Sequence, residues 1–369
     1  MACMRKLPRV FWKGAHRLLS TQFQHSVFDY DDERSKLEKD LPRVFESILA
    51  ANSAFFPETE QNLRECFASV TPFVHIDRGM KLIETFAAAS TPQTINEVSM
   101  HVARTLALCC ELVTSSFFII DDVLDGRDVR NNRPSYHVES NGNAMLDAIL
   151  LNHAAQQLTA NSIKNRPKVK EEIVRLLQNA STRTTIGMLQ ARLIRSRALE
   201  SPEEAFDSIN MNKYQSTVTS KIEYTAFELP IGCGLLLAEK EYDKMIQKAA
   251  VDMGVLLQIE KDLRVVENGT ALNNGYISWP IVMAKQLANK DQLSVLRRNF
   301  LPTRDKDSEV AIRRIFETLR LKQNCKMFRE GLTGEVNETI QRSHIGERAK
   351  RYLLDVAQDV LKGTFNRFD

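Results

Sequence analysis

The run Phe117-Phe118-Ile119-Ile120-Asp121-Asp122-Val123-Leu124-Asp125 decides how this chain is read. On a helix, positions three and four apart share a face, so Asp125 lies beside Asp121 and Asp122 and three carboxylates crowd together. Such a cluster calls for a cation. Hard oxygen ligands presented this way suit Mg²⁺, which keeps several waters and completes its shell with substrate phosphate oxygens. An isolated D-D-x-x-D reads more simply as a solvated acidic turn, but the flanks of this one reverse that reading. Residues 102–120 are almost wholly apolar apart from Arg104, Glu111 and a few hydroxyls, which predicts a buried helix carrying its acidic group toward an internal cavity. After the triplet comes Gly126-Arg127-Asp128-Val129-Arg130-Asn131-Asn132-Arg133-Pro134, a basic loop rich in helix breakers. Guanidinium forks bind phosphate oxygens that a metal does not reach, so cluster and loop together form a phosphate-handling arrangement.

The rest of the chain fits a large helical protein around that site. Its 369 residues are 43% hydrophobic and 26% charged, a globular composition with material for a sizeable core. Only 14 glycines and 11 prolines punctuate it, no run of strand alternation stands out, and no linker or repeat divides it, so a single all-α domain is expected over 30–369. The net charge of +3 is too small and dispersed for a nucleic-acid surface. The six cysteines lack metal-ligand spacing and read as reduced core thiols of an intracellular protein. No apolar stretch reaches the roughly 18 uninterrupted residues of a membrane span. Residues 1–29 carry Arg5, Lys6, Arg9, Lys13 and Arg17 with no acid before Asp29. They read as an organelle transit peptide or as a disordered basic tail, which puts the protein in the mitochondrion or the cytoplasm.

Amphipathic and apolar segments predict helices at about 32–52, 58–70, 78–89, 96–125, 143–162, 168–197, 202–209, 212–237, 240–266, 277–287, 290–299, 306–331 and 345–362. Three further places carry unusual side chains. Lys221 sits inside a largely apolar helix, where a solvated lysine is the plainer explanation. The stretch from Gly254 to Arg264, with Gln258, Lys261 and Asp262, ends another apolar helix in a burst of charge that also suits a helix emerging into water. Arg78 follows His75-Ile76-Asp77 at a loop-to-helix junction, where backbone N–H groups and a cation could hold an anion.

Taken together, these residues resemble the isoprenyl diphosphate synthase family, its farnesyl diphosphate synthase branch in particular, from about residue 40 to 362. The resemblance rests on the first aspartate-rich motif at 121–125, Arg130, Gly187 in a degenerate G-Q-x-x-D, and the stretch from Lys213 to Leu229-Pro230-Ile231. It continues through Gln258 before the second aspartate-rich position and Gly269-Thr270 leading to Ser278-Trp279. It implies the isoprenoid synthase helical bundle with Mg²⁺ and diphosphate in a central cavity, a prenyl diphosphate substrate, and a homodimer. Asp121, Asp122, Asp125, Arg130 and Lys221 match the groups that bind the allylic diphosphate and its metals.

The departures fall on the other half of the site. The family holds isopentenyl diphosphate with a Gly-Gly-Lys-x-x-Arg motif, a glutamine seven residues before the first aspartate and a second arginine after the motif. Here those positions read Phe73-Val74-His75-x-x-Arg78, Thr114 and Asn131, so Arg78 alone survives. Charge-assisted hydrogen bonds contribute roughly 1.5–3 kcal/mol each, so three losses remove ~5–9 kcal/mol, several decades of affinity. The second aspartate-rich motif has become Lys261-Asp262-Leu263-Arg264-Val265, keeping Asp262 as a candidate metal ligand and placing the Lys261 ammonium where a metal would stand. Downstream, Ala271 and Tyr276 replace a family aspartate and lysine.

An enzyme that grips an allylic diphosphate without a coupling partner can still ionise the carbon–oxygen bond. The chain therefore resembles the insect terpene synthases of this branch: a class I, Mg²⁺-dependent lyase on a prenyl diphosphate, farnesyl diphosphate first. A short-chain prenyltransferase with a rebuilt co-substrate site and a silent partner subunit are the alternatives. Phe117, Phe118, Tyr224, Phe227 and Trp279 are candidates to line a carbocation pocket, although core packing explains each alone. Ser116, where a bulky residue commonly floors the family's cavity, is expected to open space beside Phe117.

Overall fold

A computed structural model describes residues 28–51, 57–71, 76–130, 132–221, 224–268, 277–300 and 306–363. The basic leader, 72–75, Asn131 and 269–276 lie outside them, and with them the expectations placed on His75, Asn131, Gly269-Thr270, Ala271 and Tyr276; so do the side chains of Lys221 and Tyr224. The described residues form the expected all-α bundle, with a two-stranded ribbon as its only sheet among them.

The helix that carries the triplet, α4 (Glu97–Asp125), runs through the middle. Around it lie α1 (Tyr30–Ala51), α2 (Pro57–Val70), α3 (Asp77–Ala89), α6 (Ala144–Ser162) and α7 (Pro167–Glu200), sharing one apolar core. A second core joins α10 (Leu229–Leu237), α11 (Lys244–Asn268), α15 (Leu321–Arg342) and α16 (Glu347–Leu361). A third packs α8 (Pro202–Ser208), α9 (Met211–Lys221), α12 (Trp279–Leu287), α13 (Lys290–Asn299) and α14 (Lys306–Thr318) against α11. A single turn, α5 (Tyr136–Glu139), precedes α6.

Local chemistry fixes both ends of α4. Asn96 and Ser99 form a reciprocal capping box, each side chain satisfying the other's backbone N–H at 3.0 Å. At the far end Gly126 adopts φ 61°, a left-handed conformation that glycine enters without strain. The N–H groups of Gly126 and Arg127 then donate to the carbonyls of Val123 and Asp122, the paired bonds of a Schellman stop. The helix therefore ends directly after Asp125. Within the bundle Arg104, 3% exposed, is satisfied by Glu33, Asp40 and Glu97, which ties α1 to α4. Close helix contact needs a glycine at Gly234, where a Cβ would stand 2.7 Å from the Leu82 carbonyl oxygen.

Two predicted helices are less regular than expected. Within the segment expected as 212–237, Tyr224–Glu228 form a π-helical turn that runs directly into α10. Pro230 supplies the reason: it has no N–H to continue the ladder, and its ring crowds the carbonyl four residues back. The segment expected as 306–331 turns at Arg320, φ 49°, and the following helix continues to Arg342. Gly331 and Gly334 both sit inside α15, where an added Cβ would touch nothing.

Candidate active site

Asp121, Asp122 and Asp125 occupy the last turn of α4, and the structure gives them different surroundings. Asp122 is buried at 4% exposure. The chain after Gly126 folds back as an antiparallel ribbon, β1 (Val129–Arg130) on β2 (Arg133–Pro134), with Arg130 facing Arg133. That return brings the Arg130 guanidinium onto Asp122 as a fork, Nε donating to Oδ2 at 2.8 Å and Nη2 to Oδ1 at 2.6 Å. Bidentate geometry of this kind fixes both partners. Asp121 and Asp125 are only partly buried and line a cleft of about 420 Å³ whose opposite wall is α7, through Met188, Arg192, Arg195 and Ser196. Arg195 Nη1 donates to Asp125 Oδ1 at 3.2 Å, and Arg127 lies 3.6 Å from Asp125 and 3.7 Å from Asp122.

Two carboxylates four residues apart, both open to one cleft, fit a hard dication that takes its remaining ligands from phosphate and water. Asp122 is held differently: its position serves the guanidinium of Arg130. Among the described residues no three His, Cys, Asp or Glu side chains converge into a complete metal cage, and an ion bound through one or two carboxylates requires none.

Phe118 connects this corner to the neighbouring helix. Its ring has Arg130 4.8 Å from one side of its centroid and Arg78 at 5.5 Å. Arg78, at the start of α3, is 2% exposed and pairs with Glu111 of α4 at 3.6 Å, while Glu111 also accepts the Gly79 N–H at 2.8 Å. Burial pushes the Arg78 pKa down and the Glu111 pKa up, each opposed by the other's charge. Glu111 thus binds the start of α3. Thr114 donates to the Cys110 carbonyl of its own helix at 2.9 Å. One turn below Arg78, Lys81 is buried with Nζ 5.3 Å from the Phe227 ring centroid, and burial lowers its pKa to about 7.

The second charged cluster lies on α11. Asp262 is 8% exposed, and both its oxygens are engaged. Oδ1 accepts Gln258 Nε2 at 2.7 Å; Oδ2 accepts the Tyr214 hydroxyl at 2.9 Å and the Trp279 backbone N–H at 2.8 Å. Burial raises its pKa to about 6 against the lowering pull of those three donors and of Lys261. The surviving aspartate of the second motif therefore pins α9 and the start of α12 to α11. Glu260 pairs with Arg329 at 2.6 Å and with Arg264 at 3.4 Å, so it too is bound within the bundle. Lys261 stands half-buried beside Asp262.

Ser116 lies between α4 and α6. It is fully buried, donates to the Val113 carbonyl at 2.7 Å, and accepts Asn152 Nδ2 from α6 at 2.9 Å. That bond ties α6 to α4 at this point. Phe117 at 8% exposure, Phe227 and Trp279 are core residues, the last tilted against Phe328.

Sequence reasoning missed Arg192 and Arg195. The i, i+3 spacing of Arg192 and Arg195 was visible, but which face α7 turns toward α4 depends on packing between distant segments.

A family model described as polyprenyl synthetase matches residues 74–319 of the chain. The farnesyl pyrophosphate synthase of Saccharomyces cerevisiae is 24% identical over 314 residues, 80% of this chain and 86% of that protein. Farnesyl pyrophosphate synthase 1 of Lupinus albus is 24% identical over 258 residues, 67% of this chain and 74% of its own. The farnesyl pyrophosphate synthase of Artemisia annua is 22% identical over 279 residues, 72% of this chain and 79% of its own.

Proposed function

The chain belongs to the polyprenyl synthetase family, and on that premise we propose that it is a Mg²⁺-dependent enzyme that ionises an allylic prenyl diphosphate, farnesyl diphosphate first, without coupling it to isopentenyl diphosphate. Its product is then a terpene hydrocarbon or alcohol and its second product diphosphate.

The observation that carries this reading is the asymmetry between the two halves of the site. On the allylic side, Asp121 and Asp125 face the cleft and Asp122 is held by Arg130. On the co-substrate side, Arg78 is the one family cation left, and it is buried in a pair with Glu111 against Phe118. Arg78 is closed off from solvent at 2% exposure, and drawing it onto a diphosphate would leave the Glu111 carboxylate buried and unpaired.

Asp121 and Asp125 would hold the cation, which when bound polarises the diphosphate leaving group. Arg130 reaches the same corner from the ribbon, and its fork to Asp122 keeps the end of α4 in place. Asp262 acts by positioning Tyr214, Gln258 and Trp279. Lys261 supplies positive charge near the departing diphosphate, which Lys261→Asp tests: unchanged or improved activity removes that role. Preorganised positive charge of this kind stabilises negative charge as it develops on the leaving group. The enzyme is expected to act as a homodimer.

A second reading, a short-chain prenyltransferase, is favoured by the comparisons, since the three relatives named above are farnesyl pyrophosphate synthases. Purified protein with Mg²⁺ and farnesyl diphosphate separates the readings. Terpene extracted from reactions lacking isopentenyl diphosphate supports the lyase. Longer prenyl diphosphates formed only with it support the prenyltransferase, and no turnover in either supports a silent subunit.

A further inference from the structure

Most of the cleft beside the acid triplet has a wall that neither the triplet nor the ribbon accounts for. Its cationic lining residues are Arg192 and Arg195, both on α7 and three positions apart, so both guanidiniums stand on the face turned to Asp121 and Asp125. Between Gly187 and these arginines, the residue at the aspartate position of the degenerate G-Q-x-x-D is Ala191, which also lines the cleft. A wall that would carry a carboxylate carries two positive charges in its place. Like charges one turn apart repel, and Asp125, which accepts from Arg195 at 3.2 Å, answers only one of them.

We propose that Arg195, assisted by Arg192, is a diphosphate-binding residue of this protein, held on Asp125 until a metal and diphosphate enter. This rests on the reading of the cleft as a prenyl diphosphate site. When Asp125 is engaged by a dication, its hold on the guanidinium weakens, and the fork faces the space where the leaving group must lie. Guanidinium binds phosphate oxygens in the same bidentate manner as carboxylate, so the exchange costs little geometry. The pair also compensates in charge for the second aspartate-rich motif, where Lys261 and Arg264 flank Asp262 and leave fewer carboxylates to gather metal ions. Part of the neutralisation assigned to metal in a fully acidic site thus falls to α7.

The test is binding of inorganic diphosphate by calorimetry at fixed Mg²⁺, which needs no turnover. Arg195 is 39% exposed and its pair with Asp125 is worth little to stability, so Arg195→Gln should fold, as its melting curve will report. The expected result is a Kd about 10-fold or more weaker for Arg195→Gln, a smaller loss for Arg192→Gln, and recovery of most of the affinity in Arg195→Lys. A merely structural pair predicts otherwise. Freed from its guanidinium, Asp125 would then bind Mg²⁺ as well or better, and diphosphate affinity would stay within about twofold. That outcome overturns the proposal, as does a Kd in Arg195→Lys no better than in Arg195→Gln. If the unsubstituted protein binds no diphosphate with Mg²⁺, the reading of the cleft itself fails. If it binds, and Asp121→Asn abolishes binding while Arg195→Gln does not, only the role given to α7 fails.

Discussion

Replacing the three aspartates one at a time should separate two kinds of carboxylate. Asp122 is buried and forked by Arg130, whose own side chain is only 13% exposed. Asp122→Asn leaves that guanidinium with one neutral acceptor in a desolvated corner. Removing one partner of a buried pair costs about 3–5 kcal/mol, and Arg130's residual exposure and its contact with Phe118 place this case near ~3 kcal/mol. With an unfolding entropy of about 2.1 cal/mol/K per residue over roughly 340 residues, ~3 kcal/mol lowers Tm by about 4 °C. Asp121 faces the cleft, so Asp121→Asn should change stability by no more than about 0.5 kcal/mol and shift Tm by less than about 1 °C. Calorimetry with Mg²⁺ and inorganic diphosphate should give the opposite order: binding lost in Asp121→Asn, and weakened but measurable in Asp122→Asn. Thermal melts and titrations on the same preparations provide both numbers. The division of labour is refuted if Asp122→Asn melts with the unsubstituted protein, or if Asp121→Asn keeps its diphosphate affinity.

Further outcomes follow from the rest of the site. Burial raises the Asp262 pKa from 3.8 to about 6. A raised folded pKa means that this group's contribution to stability is complete below about pH 3.8 and is lost as pH rises through 6, ~3 kcal/mol in all. Asp262→Asn, whose amide oxygen can still accept from Tyr214 and Trp279, should therefore gain on the unsubstituted protein between pH 4 and pH 7 in urea titrations; a pH-independent difference contradicts this. The same variant should retain Mg²⁺-dependent diphosphate binding, and losing it while folded would make Asp262 a ligand. Ser116→Ala leaves Asn152 without its acceptor in a dry contact and should cost about 1–3 kcal/mol with little change in product profile. A stable Ser116→Ala enzyme making different products would instead put Ser116 on the substrate cavity.

The fold was legible because the period of the apolar residues is strong over long helices. The boundaries of α4 could be read from Asn96 and Gly126, whose chemistry is local. The irregularities at Tyr224–Glu228 and Arg320 were harder. Pro230 was present in the sequence, but whether a proline bends, widens or ends a helix depends on what packs against the freed carbonyls.

At the site, the face shared by Asp121 and Asp125 follows from helical spacing alone. The distinct position of Asp122 does not, because it depends on the ribbon returning Arg130 to the helix end. Asp262 was read as a metal ligand from its place in a degenerate motif. Its engagement by Tyr214 and Trp279, 48 and 17 residues away, is a tertiary fact. Ser116 was read from side-chain size alone; its hydrogen bond from Asn152, 36 residues away, is likewise a tertiary fact.

The central claim is that ionisation proceeds without a coupling partner. Its most direct measurement is the initial rate of diphosphate release from farnesyl diphosphate and Mg²⁺, followed as isopentenyl diphosphate is raised from zero. The account predicts a full rate at zero, unchanged or lowered by the addition, with terpene in the organic extract. A rate near zero that climbs to saturation with isopentenyl diphosphate, with a longer prenyl diphosphate as product, would contradict it.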